Sequence, residues 1–189
     1  MRIVKQFRLM KKLLLKFTIA ASVVMALCTS IFHANAAVPE GYKTYEVGSF
    51  LVSIPAEFEK SEGWSSESQM SFNSNAVNVR DDGDEYLSSV TFNVYETEGD
   101  ITELNEYAEN MKGSAMAMEE KVEDPIIEGN TVIMRSTVDF DEEYYYVNWR
   151  FVVFGENGKV AGGTISYHCG DAKFYDGIVT PIIQSIEFK

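Results

Sequence analysis

Residues 131–169 decide the fold: they read TVIMRSTVDFDEEYYYVNWRFVVFGENGKVAGGTISYHC. Apolar and polar residues alternate through most of this stretch, and alternation of this kind is typical of β-strands with one buried face. We expect three strands, TVIMRSTVDF, YYYVNWRFVVF and KVAGGTISYHC, joined by turns at DEE (residues 141–143) and GENG. The middle strand is apolar on both faces, so it is predicted to lie inside an antiparallel sheet with cover on both sides.

Two further stretches alternate upstream of this segment. TYEVGSFLVSIP (residues 44–55) predicts a hairpin that turns at Gly48 and Ser49, with Phe50, Val52 and Ile54 on one face of its second strand. EYLSSVTFNVYE (residues 85–96) predicts one strand. Its inward side chains are expected to be Tyr86, Val90, Phe92 and Val94, and its outward ones include Thr91 and Asn93.

The period changes to that of a helix in two places. Asp100 and Glu103 have capping-box spacing, and an apolar stripe then predicts a helix to about Lys121. The stripe consists of Ile101, Leu104, Ala108, Met111, Ala115 and Met118. In DAKFYDGIVTPIIQ, Asp171 is the expected N-cap, and Phe174, Ile178 and Ile182 are the expected buried face. The final SIEF is expected to return to a sheet edge. The fold class is therefore α+β, an antiparallel sheet flanked by two main helices.

The order of these elements resembles a known family. A hairpin ending in FLVSIP, a loop with Trp64, further antiparallel strands, a helix, a long meander and a closing FYDGIVTPIIQSIEF are similar to the Mog1/PsbP-like superfamily, including its small exported bacterial members. The resemblance covers residues 42–189. It implies an α/β sandwich that often serves as a non-catalytic binding or assembly module, and it assigns no functional residue to this chain.

Residues 1–36 are predicted to be a signal peptide, followed by a single domain at 37–189. The first 17 residues carry six Lys and Arg and no acid, an apolar run follows, and Ala34 and Ala36 form an A-x-A cleavage motif. Translation starts at Met1 or at Met10. The bulky Leu27 disfavours a lipid anchor at Cys28. We therefore expect a periplasmic or secreted protein whose mature chain has no transmembrane segment.

Cleavage would leave a strongly acidic domain. The chain has 16 Lys and Arg and 29 Asp and Glu, so removing the six basic residues changes the net charge from −13 to −19. A surface of this charge repels phosphate backbones, which excludes nucleic acid as a partner. Solubility outside the cytoplasm explains the acidity, and attraction of a cation or a basic partner is the alternative.

His168 and Cys169 would be the only His and Cys of the mature chain. A thiol nucleophile needs a base within hydrogen-bonding reach. On a strand, consecutive side chains point to opposite faces, so Cys169 would lie with Ile165 and Tyr167 and His168 on the other side. The pair could meet only if the strand ended before Gly170. We therefore expect a core cysteine beside a partly exposed histidine, and no catalytic residue.

Acidic residues offer no metal site of recognisable spacing. Residues 81–84 (DDGD) and the set Asp139, Asp141, Glu142 and Glu143 could contribute to a calcium site, but neither has the spacing of an EF-hand loop. A solvated turn is the preferred interpretation, and we expect no metal and no cofactor. A carboxylate pair for glycoside hydrolysis needs a defined separation across a cleft, and we assign no such pair.

Aromatic residues suggest the one candidate binding site. Trp64, Tyr144, Tyr146 and Trp149 could line an apolar groove for a small ligand or a peptide. Helices packed on both sides of the central strand would instead fill that space. The leading hypothesis is an exported, non-catalytic binding or accessory protein of the bacterial envelope whose partner is another envelope or secreted protein. The alternatives are an exported small-ligand-binding protein and, third, a carboxylate-dependent hydrolase.

Overall fold

The structure, a computed structural model, describes residues 40–74, 77–79, 85–87, 90–139, 145–156 and 158–189. Two helices are present there: α1 (Leu104–Ala117) and α2 (Ala172–Gln184). The strands of the first half are β1 (Tyr42–Val47), β2 (Phe50–Pro55), β3 (Glu59–Lys60), β4 (Gln69–Ser74), β5 (Val77–Val79), β6 (Glu85–Leu87) and β7 (Val90–Glu98). Those of the second half are β8 (Lys121–Val122), β9 (Ile126–Glu128), β10 (Thr131–Asp139), β11 (Tyr145–Phe154), β12 (Lys159–His168) and β13 (Glu187–Phe188).

One large antiparallel sheet organises the fold. Its strand order is β3-β4-β7-β12-β11-β10-β8, and β9 also pairs with β10. The three long strands predicted from residues 131–169 are confirmed as β10, β11 and β12, with β11 between the other two. The strand expected over residues 85–96 is instead described as β6 and β7. β6 pairs with β5, whereas β7 belongs to the large sheet. The α+β class is confirmed.

A small sheet packs on the large one. Its hairpin of β1 and β2 turns as predicted at Gly48 and Ser49, where Gly48 has a φ of +54°. Phe50, Val52 and Ile54 are buried, which confirms the predicted face. The return of the chain end to a sheet edge is also confirmed, because β13 pairs with β2. The Ser49 amide donates a hydrogen bond to the Glu96 carboxylate of β7, which ties the small sheet to the large one.

The face of the large sheet that meets the small sheet is apolar and rich in aromatic rings; we call it the aromatic face. Phe72, Phe92 and Phe151 stack in series across it, with ring centroids 5.9 and 6.3 Å apart. Buried residues from the hairpin and α2 complete this core, and each buried Phe contributes on the order of 2–3 kcal/mol. The aromatic face consists of Phe72, Val90, Phe92, Val94, Val147, Phe151, Val153, Ile165 and Tyr167.

Two adjacent glycines in β12 allow rings to cross that strand on opposite faces. A Cβ at Gly163 would lie 2.4 Å from the Phe151 ring on the aromatic face and 2.7 Å from the backbone oxygen of Asn93. A Cβ at Gly162 would lie 2.6 Å from the Tyr95 ring on the other face. Each ring comes from the residue directly opposite in the neighbouring strand, so each glycine makes room for its own cross-strand partner.

Helix α1 covers part of the opposite face of the sheet. The predicted capping box is confirmed: Asp100 accepts a hydrogen bond from the Thr102 amide, and the Glu103 carboxylate accepts one from the Asp100 amide. The predicted stripe holds in its middle, where Ala108 and Ala115 are buried and Leu104 and Met111 are partly buried. Ala108 packs in a second core with Val132, Val152, Phe154 and Val160.

The two ends of the α1 stripe were predicted wrongly. Ile101 lies in a short 3-10 turn and is 49% exposed, and Met118 follows the helix and is 68% exposed. The helix ends at Ala117 rather than near Lys121 because Glu119 takes the left-handed conformation, with a φ of 62°, and Lys121 already begins β8.

The buried face of α2 differs from the predicted one. Phe174 is 40% exposed, whereas the residues turned to the aromatic face are Tyr175, Val179, Ile182 and Ile183. Only Ile182 belongs to both sets, and Ile178 is half-buried. Asp171 does occupy the N-cap position, but its side chain makes no capping hydrogen bond. Pro181 lies within the last turn of the helix, as its position near the end permits.

Candidate functional site

Of the four aromatic residues predicted to share a groove, Tyr146 and Trp149 do not lie on the same side of the sheet. Tyr146 and Trp149 differ by three positions on β11, so they point to opposite faces of the sheet. Trp64 lies in a 3-10 turn between β3 and β4, and strands β7 and β12 separate β4 from β11 in the sheet. Tyr144 lies outside the described residues. The prediction of a single groove that contains both Tyr146 and Trp149 is therefore wrong.

Trp149 is part of the attachment of α2 to the sheet. Its indole Nε1 donates to the Tyr167 hydroxyl at 2.8 Å and lies 3.4 Å from Asp176 Oδ1 of α2. The Tyr167 hydroxyl in turn donates to the Asp176 carboxylate. Burial, together with this carboxylate, raises the pKa of Tyr167 well above its ordinary value. These hydrogen bonds attach α2 to the sheet, so Trp149 has a structural role in the fold.

His168 and Cys169 do come together, contrary to the expectation of opposite faces. Strand β12 ends at His168 and a 3-10 turn begins at Cys169, so the Cys169 Sγ lies 3.6 Å from His168 Nε2. Cys169 is half-buried rather than a core residue. The Gly170 amide donates to His168 Nδ1 at 3.2 Å, which places the proton of a neutral ring on Nε2. Nε2 then has no lone pair with which to accept the thiol proton, so this geometry does not activate the cysteine.

Beyond α1, the face of the large sheet opposite the aromatic face is half-exposed and polar. Strands β4, β7, β12 and β11 each present short uncharged side chains there, at positions that oppose one another in register. The residues are Asn73, Thr91, Asn93, Asn148, Thr164 and Ser166, and all six are half-buried. We call this set the polar face. Four strands at about 4.8 Å spacing give it a width of roughly 14 Å.

The polar face is ordered by its own hydrogen bonds. The Thr91 hydroxyl donates to Asn73 Oδ1 at 3.3 Å, and the Ser166 hydroxyl donates to Asn148 Oδ1 at 2.6 Å. Both bonds join neighbouring strands, so these side chains already hold fixed positions. At one end of the face, the Tyr146 and His168 rings meet edge to face at 5.9 Å. At the other end, Tyr95 is 40% exposed above Gly162.

An ion pair closes the polar face on the side of α1. Arg150 donates from both guanidinium nitrogens to the Glu120 carboxylate, at 2.5 and 2.7 Å. Ser136 also donates to that carboxylate, at 2.5 Å. Burial alone raises the pKa of Glu120, but the hydrogen bonds from Arg150 and Ser136 outweigh it, and the net pKa is lowered. The sequence contained no signal for this pair, because Glu120 and Arg150 are distant in the chain.

No group of three or more His, Cys, Asp or Glu in the described residues is arranged to hold a metal ion. Residues 81–84 and 141–143 of the two candidate calcium sites lie outside the described ranges. Asp139 is described, and it pairs with Lys121. Over the described part of the chain, neither helix is long and apolar enough to cross a membrane.

Comparison with known proteins identifies the fold by shape rather than by sequence. No protein-family model matches the chain, and no curated protein matches it in sequence. The Ran-binding protein Mog1p of Saccharomyces cerevisiae superposes with a TM-score of 0.52 at 12% identity, over 78% of this chain and 95% of that chain. A point mutant of Mog1 gives a TM-score of 0.51 at 11% identity, with the same coverage. The cyanobacterial PsbP (CyanoP) from Synechocystis gives 0.48 at 11% identity, over 82% of this chain and 97% of that chain.

Proposed function

Because the chain has the Mog1/PsbP-like fold, we propose that it is an exported, non-catalytic accessory protein of the bacterial envelope that binds another envelope or secreted protein. A fold by itself does not define a function, so the proposal depends on the polar face. The observation that carries it is a half-exposed, hydrogen-bonded patch of Asn, Ser and Thr that spans four strands of the large sheet.

The chemistry of the polar face suits a protein partner. Asn, Ser and Thr side chains supply adaptable hydrogen bonding, and tyrosines supply large contact area at low entropic cost, as in antibody binding sites. Tyr95 and Tyr146 stand at the two ends of this face. Because the side chains already hold positions through Thr91 and Ser166, little conformational entropy is lost when a partner binds.

The arrangement of titratable groups supports a binding role over a catalytic one. The His168 ring has its Nδ1 occupied by the Gly170 amide, and the Glu120 carboxylate is neutralised by Arg150. A general base needs a lone pair that is free to accept a proton. In this geometry His168 Nδ1 accepts from Gly170, and the Glu120 carboxylate accepts from Arg150 and Ser136.

Export is the second part of the proposal, and it depends on residues 1–36. It predicts cleavage after Ala36, so that the protein recovered from its own envelope or medium begins at Ala37. Intact-mass measurement of that protein tests it directly. A protein that retains residues 1–36 inside the cell would contradict export.

Capture with matched variants tests the polar face. The tagged protein would be used to capture its partner from the envelope of its own cells, alongside Thr164→Arg in the middle of the polar face and Thr180→Arg on the exposed side of α2. Both variants make the same chemical change, so a non-specific effect of charge is shared. We expect Thr164→Arg to lose the partner and Thr180→Arg to retain it. Equal capture by the two variants would reject the polar face as the binding surface.

A further inference from the structure

Trp64 is the most exposed large hydrophobic side chain in the described part of the chain. It is 75% exposed, whereas Trp149, the other tryptophan, packs against the core. Exposed apolar side chains are common singly, but an exposed Trp has the size and chemistry of a binding hot spot. The turn that carries it therefore merits a functional explanation.

The Trp64 turn (Ser61–Ser65) is fastened to the edge of β4. The Ser61 amide donates to the Ser71 carbonyl at 2.8 Å, and the Ser71 amide donates to the Ser65 hydroxyl oxygen at 3.2 Å. Within the turn, the Trp64 amide and the Ser65 hydroxyl both donate to the Ser61 carbonyl, at 3.2 and 2.7 Å. The indole is thus presented by ordered backbone, which lowers the entropic cost of contact with a partner.

The surroundings of Trp64 are acidic. The segment 57–67 has four glutamates and one lysine, a net charge of −3 (four minus one). All four glutamates are exposed, and the lysine, Lys60, is 3.7 Å from Glu62. A cation over an indole ring is attracted by the ring quadrupole, and nearby carboxylates strengthen that attraction. Charge complementarity therefore selects a cationic partner.

We propose that the Trp64 turn binds an arginine- or lysine-bearing segment of a protein partner, with the cation seated on the indole and flanked by Glu62 and Glu67. This inference rests on the proposed function, because it takes the partner to be a protein. Ser71, to which the turn is bonded, lies opposite Asn93 in the sheet register. The turn therefore stands at the β4 edge of the polar face, where one partner can contact both.

The test uses synthetic peptides and the two indole N–H signals in an NMR titration. A short Gly-Arg repeat peptide is the probe, and a Gly-Glu repeat of equal length is the charge control. We expect the Gly-Arg peptide to shift the Trp64 signal and to leave the Trp149 signal unchanged. Trp64→Ala removes the reporting signal, so its affinity for the Gly-Arg peptide is measured by titration calorimetry, and loss of the cation–π contact should weaken binding several-fold.

Paired variants separate a specific site from general attraction to an acidic protein. Glu62→Gln with Glu67→Gln removes two exposed charges within three residues of Trp64 in the sequence, and Glu106→Gln with Glu109→Gln removes two exposed charges from α1. The first pair should weaken Gly-Arg binding several-fold more than the second. Equal effects of the two pairs, or unchanged affinity in Trp64→Ala, would overturn the Trp64 site. If the Gly-Arg peptide does not bind, only the Trp64 site is rejected. If Thr164→Arg still captures the partner, only the polar face is rejected.

Discussion

The two faces of the large sheet consist of the same strands but differ in what they contact. The aromatic face is closed by the small sheet and α2, and Phe72, Phe92 and Phe151 stack through it. On the opposite side of the sheet, α1 packs over Val132, Val152, Phe154 and Val160, and the polar face beyond it is half-exposed. The aromatic face therefore lies in the core of the fold, whereas the polar face presents a surface. Substitutions at neighbouring positions, which alternate between the faces, separate the two roles.

The largest difference is expected between Phe92→Ala and Asn93→Ala. Phe92 is fully buried between two other rings, so its truncation should lower the free energy of unfolding by about 3–5 kcal/mol. Asn93 is the next residue and belongs to the polar face, so its truncation should cost less than about 1 kcal/mol. Urea unfolding measures both. Similar losses in the two variants would mean that the polar face also stabilises the fold.

The ion pair of Glu120 and Arg150 borders the polar face, and we expect it to contribute strongly to the stability of the fold. Glu120→Gln leaves the guanidinium, whose side chain is 20% exposed, without its charge partner, and we expect a loss of about 3 kcal/mol. Glu123→Gln is the control. The Glu123 side chain is 60% exposed, so its ion pair with Arg135 should contribute at most about 1 kcal/mol. A loss at Glu120 no larger than at Glu123 would contradict the assignment of this pair as a structural anchor.

Substitution of the adjacent Gly162 and Gly163 allows the two faces of the large sheet to be compared within strand β12. Gly163→Ala directs its methyl group at the buried Phe151 ring and at backbone, so it should cost about 1–3 kcal/mol. The three atoms nearest a Cβ at Gly162 all belong to the Tyr95 side chain, which is 40% exposed and so less confined than Phe151, and Gly162→Ala should cost less than about 1 kcal/mol. Thermal unfolding of the two variants measures the difference. A larger loss for Gly162→Ala would reverse the comparison.

The smallest expected effect concerns Glu96, which joins the small sheet to the large one. Its contribution to the free energy of unfolding should depend on pH. Hydrogen bonding from Ser49, whose amide donates to the carboxylate, and then the charge of Lys159 hold the pKa of Glu96 below its ordinary value. A lowered pKa in the folded state stabilises the protein above the unfolded-state pKa, about 4.3, and this contribution is lost as the pH falls through the folded-state pKa.

Glu96→Gln should therefore be less stable than the wild type at neutral pH, with a difference that narrows on acidification. Urea unfolding at several pH values measures it, with Glu106→Gln on the exposed side of α1 as the control. A difference that stays constant between neutral and acid pH would contradict the role given to the Glu96 charge.

Alternation in the sequence predicted the aromatic face well and the polar face only in part. Val90, Phe92 and Val147 follow the two-residue period because burial on one side of a strand imposes it. Cover was expected on both sides of β11, and on the side opposite the aromatic face α1 packs against Val152 and Phe154. The outward Thr91 and Asn93 of β7 were the available signal for an open face.

The remaining errors have tertiary causes. Three apolar residues spaced by four suggested a face of α2 with Phe174, but helix rotation is set by the full stripe from Tyr175 to Ile183. The end of α1 depends on Glu119, whose left-handed backbone gave no sequence signal. The meeting of His168 and Cys169 depends on where β12 stops, which a two-residue period does not define.

The central claim is that the polar face contacts the partner while the aromatic face maintains the fold. The most direct measurement compares the NMR signals of the asparagine side-chain amides with and without the captured partner. We predict that Asn73, Asn93 and Asn148 shift or broaden, while Asn105 and Asn110 on the exposed side of α1 stay unchanged. Changes confined to Asn105 and Asn110, or no change at Asn73, Asn93 and Asn148 when the partner is bound, would contradict the claim.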